Sequence, residues 1–154
     1  MRCIRPALAV LATPFVCSLA LVADTGPPNY SGTWELESSQ GQAGPAVTYT
    51  IQDKSGQISF TEVVRGTDGK DITSQFSCKA GGTQCDFDEG GHKAHVSLWY
   101  NGATLVILKT DGPKEDAVTE WHLTLGPGGK TMDVELEHIE PADKSEKMVF
   151  TKKA

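Results

Sequence analysis

The chain has 154 residues and a formal net charge of −6, with 38% hydrophobic and 7% aromatic residues. That length fits one domain, and the composition excludes a disordered acidic tail, a collagen-like repeat and a polytopic membrane protein. An acid excess without a basic patch argues against a nucleic-acid partner or an anionic membrane face.

In chain order, the first predicted element is not part of the fold. Arg2 and Arg5 precede an uncharged apolar stretch from Pro6 to Val22, and Asp24 is the first acid. A basic start, an apolar run and a small residue before a polar segment read as a secretory signal peptide over residues 1–23, with Ala23 the last residue removed. The rival, an uncleaved anchor helix, is weakened by Pro6 and Pro14. A lipoprotein reading at Cys17 lacks small residues in Pro14-Phe15-Val16. Cleavage leaves a single domain over residues 24–153. Removing two arginines and no acid leaves 12 basic against 20 acidic residues, a net charge of −8. The expected location is the periplasm or the extracellular space, with no membrane partner after cleavage.

Ten strands are predicted next, because apolar residues recur at every second position and no stretch keeps helical spacing over three turns. Trp34 and Leu36 alternate with Thr33, Glu35 and Glu37; Val47, Tyr49 and Ile51 with Thr48, Thr50 and Gln52; Ile58 and Phe60 with Ser59 and Thr61. Ile72, Ser74, Phe76 and Cys78 share a face, and a short segment from Cys85 to Asp88 follows a Gly-Gly turn. Ala94, Val96, Leu98 and Tyr100 face away from His95, Ser97 and Trp99, while Thr104 to Leu108 is apolar on both faces. Trp121, Leu123 and Leu125, then Met132, Val134 and Leu136, then Met148 and Phe150 complete the series.

Turn residues separate these segments. Asp53-Lys54-Ser55-Gly56, Thr67-Asp68-Gly69-Lys70, Asp88-Glu89-Gly90-Gly91, Asp111-Gly112-Pro113, Gly126-Pro127-Gly128-Gly129 and Glu140-Pro141-Ala142-Asp143 all read as turns. Asn101-Gly102 is the strongest signal, read as a type I′ turn. Short connections make neighbours antiparallel. Ten such strands with one apolar face must close or fold over to bury that face and remove their edges. The expected fold is therefore all-β, an antiparallel up-and-down barrel of about ten strands. The longest connection, Ser38 to Ala46, is expected to be a lid or omega-type loop over one mouth.

Cys3 and Cys17 leave with the signal peptide, and Cys78 and Cys85 remain. In an exported chain an even pair reads as one disulfide, here stapling a hairpin across Lys79 to Gln84. The C-x6-C spacing disfavours a redox pair or half of a metal site.

Gly32-Thr33-Trp34, at the start of the first strand of such a chain, resembles the Gly-x-Trp signature of the lipocalin and calycin superfamily. The resemblance spans roughly residues 30–153. It implies a barrel whose tryptophan closes the bottom and whose interior holds a small apolar ligand. Three features depart from the lipocalin pattern. Thr-Asp-Gly replaces the Thr-Asp-Tyr-like turn, no arginine follows Arg65 to pack on the tryptophan, and no C-terminal helix is predicted. The chain is more similar to small lipocalin-like barrels exported by bacteria, a resemblance that implies fold and compartment but no activity.

No catalytic residue, metal ligand or cofactor site is expected. There is no Gly-x-Ser-x-Gly elbow and no Gly-rich phosphate loop before a helix. His92 and His95 lie an odd number of positions apart and point to opposite faces of a strand, which disfavours a joint metal site. Glu120 and His122 share a face, and would be an acid–base pair only if that face turned inward. The expected ligand contacts are barrel-lining residues: Trp34, Tyr49, Phe60, Phe76, Leu98, Tyr100, Trp121, Val134 and Phe150. A barrel of this size accommodates either a ligand cavity or a filled core. The leading expectation is a non-enzymatic protein holding a small apolar or amphipathic molecule. The alternatives are an interaction or envelope scaffold module working through barrel-mouth loops, and an enzyme. Trp99, on the polar face, is the expected marker of an exposed contact patch.

Overall fold

The computed structural model describes residues 26–39, 46–112, 117–142 and 144–154. The predicted signal peptide over 1–23 and the centre of the predicted lid, 40–45, lie outside them. Ten strands follow in chain order: β1 (Gly32–Ser39), β2 (Val47–Lys54), β3 (Gln57–Arg65), β4 (Asp71–Lys79), β5 (Cys85–Glu89), β6 (His92–Asn101), β7 (Thr104–Asp111), β8 (Ala117–Leu125), β9 (Thr131–Glu140) and β10 (Ser145–Lys152). Every strand pairs antiparallel with its sequence neighbours, and β1 also pairs with β10. The sheet therefore closes into an up-and-down barrel, as the period-two pattern requires. Among the described residues, closure leaves no edge strand exposed.

The alternating side chains sort cleanly between wall and lumen. On β4, Ser74, Phe76 and Cys78 are buried while Thr73, Gln75 and Ser77 are exposed. Around the barrel, Ile51, Ile58, Phe87, Leu98, Leu105, Ile107, Leu123, Met132 and Phe150 are almost completely removed from solvent. Burying a Leu, Ile or Phe side chain contributes about 1.5–3 kcal/mol each, so this lumen is the main stabilising term.

Two turn expectations are corrected. Register pairs Asn101 with Thr104, so Gly102 and Ala103 are the central residues of the β6–β7 turn, and only Gly102 has a positive φ. Asn101 ends β6, and the turn is not type I′. Positive φ at both central positions occurs instead between β2 and β3, at Ser55 (56°) and Gly56 (83°), and between β5 and β6, at Gly90 (62°) and Gly91 (92°). The second correction is Glu89, expected in a solvated hairpin tip. Strand β5 runs on to Glu89, which pairs with His92, and the tip is Gly90-Gly91. The parity of β5 turns Glu89 to the same side as the fully buried Phe87.

The predicted disulfide is present. The Cys78 and Cys85 sulfurs are bonded at 2.03 Å, with the Cα atoms 5.7 Å apart. It acts where the β4–β5 ladder stops. Only Ser74, Gln75 and Phe76 pair with β5, and below Phe76 the bond holds the two strands together. Gly81 and Gly82 donate their backbone N–H groups to Leu98 O on β6, both at 2.9 Å, tying the intervening segment back to the wall.

Candidate functional site

One end of the barrel is plugged. Tyr30 and Trp34 are both 0% exposed. The Tyr30 hydroxyl lies 2.6 Å from Ala103 O and 2.7 Å from Leu123 O, and accepts from Leu105 N at 3.2 Å. It thereby ties the N-terminal approach to β7, β8 and the β6–β7 turn. Lys152 Nζ stands 5.2 Å from the Trp34 ring centroid, taking up the cation contact for which no arginine is available. Gly32 explains the first residue of the motif. Its φ is +152°, and a Cβ there would run into the Lys152 side chain. Beside the plug, the Tyr100 hydroxyl donates to Asp53 Oδ2 at 2.7 Å, and burial pushes its pKa upward.

Above the plug lies an aromatic belt. Phe150 stacks on Tyr49 at 4.2 Å, Tyr49 meets Phe60 at 4.9 Å, and Phe60 stacks on Phe76 at 5.2 Å. Phe76 meets Phe87 edge-on at 5.8 Å, and Phe87 meets Trp121 at 6.2 Å. The last contact joins β5 to β8 across two intervening strands, so side chains bridge the lumen at this level. Between Phe87 and the β7 wall sits Ala94, small enough to leave that path open.

Of the nine expected lining residues, Trp34 lies in the plug, Leu98 and Val134 are buried in the lumen, and Tyr49, Phe60, Phe76 and Phe150 belong to the belt. Tyr100 is half-buried at the plugged end, and Trp121 is half-buried in the belt. Towards the other mouth the inner wall is only partly covered. Leu36, Val47, Val64, Leu136 and Met148 are half-buried there, and Ile72 is exposed at the rim.

The mouth also holds polar side chains, of which only Tyr49 is among the expected lining residues. Tyr49, Glu62, Ser74 and Glu89 are successive cross-strand partners on β2 to β5, forming one inward row. The Tyr49 hydroxyl is hydrogen-bonded to Glu62. Burial, reinforced by Glu89, raises the Glu62 carboxyl above its usual pKa. Lys109 reaches from β7 to both Glu89 carboxylate oxygens at 2.9 Å, and its Nζ lies 5.6 Å from the Phe87 ring centroid. Asp111 is held below the usual carboxylate range by His92, whose Nε2 is 2.8 Å away, and by the Gly112 N–H. A signal existed. Continuing the apolar alternation of β3 and β7 by one step reaches Glu62 and Lys109.

The other candidate groups lie outside the lumen. His122 Nε2 is 2.9 Å from Glu120 Oε1, on the outer face. The neighbouring groove, lined by His122, Thr124, Asp133, Glu135 and Lys147, is also on the outer wall. His95 approaches Asp86 at 3.6 Å on the outside, away from the inward His92–Asp111 pair. Among the described residues no three His, Cys, Asp or Glu side chains converge as a metal site. Trp99 is half-buried rather than prominent, because it pairs across strands with Val106, an outward residue only 1% exposed.

A closed ten-stranded antiparallel barrel, plugged at one end beside a Gly-x-Trp motif, is a calycin-like barrel. Solved structures agree. The chain matches a structure described as the REP1-NXSQ fatty acid transporter with a TM-score of 0.62 and 14% identity, over 80% of this chain and 96% of that one. It matches a Schistosoma mansoni fatty acid binding protein in complex with arachidonic acid with a TM-score of 0.58 and 17% identity, over 81% and 96%. No family model matches the chain, and no curated protein matches its sequence. At these identities the likeness concerns the fold.

Proposed function

We propose that this chain is an exported, non-enzymatic carrier that holds a small apolar or amphipathic molecule in the mouth half of the barrel. The observation behind this reading is the asymmetry of the lumen. One end is sealed by Tyr30 and Trp34, while the other presents half-buried Leu36, Val47, Leu136 and Met148 above an aromatic floor. Predominantly apolar linings with a few placed polar groups are what small-molecule sites require. The fatty acid ligands named for the structural neighbours support the same class. Export is supported by the basic-then-apolar start of the sequence and by the Cys78–Cys85 bond, which persists in oxidising compartments.

Native mass spectrometry of the chain purified from an oxidising compartment tests this. Extra mass that disappears on denaturation is the expected result. A bare mass, together with no binding of the neutral apolar dye Nile red, would remove the carrier reading.

A further inference from the structure

The inner row on β2 to β5 has a particular chemistry. Directly opposed residues on neighbouring strands sit roughly 5 Å apart at Cβ, so Tyr49, Glu62, Ser74 and Glu89 form a continuous polar strip over the aromatic belt. Tyr49 is committed to Glu62. Ser74, between the two glutamates, is only 3% exposed, and its hydroxyl has no hydrogen-bond partner among the described residues. A hydroxyl facing the lumen between two carboxylates can bond to a bound group as donor or as acceptor.

The charges around the strip are unequal. Glu62, Glu89 and Asp111 supply three carboxylates against one lysine, and Lys109 is already engaged by both oxygens of Glu89. His92, at the rim, bonds to Asp111. A ligand carboxylate placed here would meet two glutamates and an occupied lysine. A head with several N–H donors and a positive charge would meet acceptors on both sides of Ser74.

Resting on the carrier reading, we propose that the ligand is a cationic amphiphile, with an apolar chain against the aromatic belt and a protonated amine head received by Glu62, Ser74 and Glu89. An ammonium has three N–H donors, one for each of these oxygen-bearing groups. Charge-assisted hydrogen bonds of this kind are roughly twice as strong as neutral ones. The discrimination against carboxylates arises from like-charge juxtaposition as much as from attraction to amines.

The test is displacement of Nile red from the full mature chain by three matched twelve-carbon compounds, dodecylamine, dodecanol and dodecanoate, each below its micellar concentration. The expected order is amine, then alcohol, then carboxylate, with the amine at least tenfold tighter than the carboxylate. Glu62→Gln keeps an acceptor for Tyr49 and should bring amine and alcohol to similar affinity. Dodecanoate binding as tightly as the amine would overturn the proposal while leaving the carrier reading standing. An amine preference unchanged in Glu62→Gln would overturn the assignment to this strip. Failure of dye and all three compounds to bind would overturn the carrier reading and this proposal together. The order measured on the unmodified chain is decisive even if the variant does not fold.

Discussion

The Trp34 indole nitrogen donates to the main-chain carbonyl of Tyr30 across 3.0 Å, which locks the segment before β1 under the barrel. The plug is thus one unit. Tyr30 anchors to the β6–β7 turn and β8 through its hydroxyl, and to Trp34 through its backbone. Removing the hydroxyl leaves the Leu105 N–H without its partner in a buried setting. Tyr30→Phe should therefore cost about 1–3 kcal/mol, the penalty for an unsatisfied buried group. Urea unfolding should show a lower midpoint with an unchanged slope. An unchanged midpoint would mean that water replaces the hydroxyl without loss.

The disulfide should matter by an amount set by its short loop. Its residues are 7 apart in sequence. Chain-entropy estimates for so small a loop give about 2–3 kcal/mol. The double substitution Cys78→Ala with Cys85→Ala should lower stability by that amount, and the β4–β5 segment should lose amide protection first, because its backbone ladder has only three residue pairs. Hydrogen exchange resolved by segment checks this. Uniform loss of protection around the barrel would show that the bond does not act locally.

How much of this molecule its sequence discloses depends on where each residue sits along a strand. The number of strands, their order and the disulfide follow from alternation and turn chemistry, because a period-two pattern with short connections admits few topologies. Mid-strand apolar residues such as Ile58, Phe76 and Leu123 are unambiguous for the same reason. The strand ends are where the pattern fails. Glu62, Glu89 and Lys109 keep inward parity but are charged, and charge alone reads as solvent-facing. Tyr30 precedes the first alternating segment, so no periodicity marks it. Asn101-Gly102 misleads by one residue, since turn chemistry locates a hairpin more accurately than its register. Val106 is buried on the outer face by its pairing with Trp99, a contact that only the register reveals.

The buried Glu62 makes stability depend on pH in a stated direction. Its carboxyl is raised by burial and by Glu89, so the native state holds the proton more tightly than the unfolded chain. The stability this contributes is fully present below the unfolded value, about 4.3, and is lost as pH rises through the native one. Glu62→Gln does not titrate. Relative to the unmodified chain, the variant should gain stability progressively as pH rises from about 4 towards neutrality. Chemical unfolding of both proteins across that range gives the difference curve, and a difference that stays flat would show that Glu62 titrates at its ordinary value.

The three tryptophans give the carrier reading an internal probe. Trp34 is wholly buried in the plug, Trp99 lies on the outer wall, and Trp121 is half-buried in the lumen, 6.2 Å from Phe87. A chain entering through the mouth must lie against Trp121 before it reaches any other tryptophan. Ligand addition should therefore shift tryptophan emission to shorter wavelength in the unmodified protein and in Trp99→Phe, as water leaves the Trp121 ring. The shift should vanish in Trp121→Phe even where dye displacement shows that ligand still binds. The opposite pattern, a response lost in Trp99→Phe and kept in Trp121→Phe, would place the ligand on the outer wall beside Val106 and His122, and the sealed plug and polar strip would then have no part in binding.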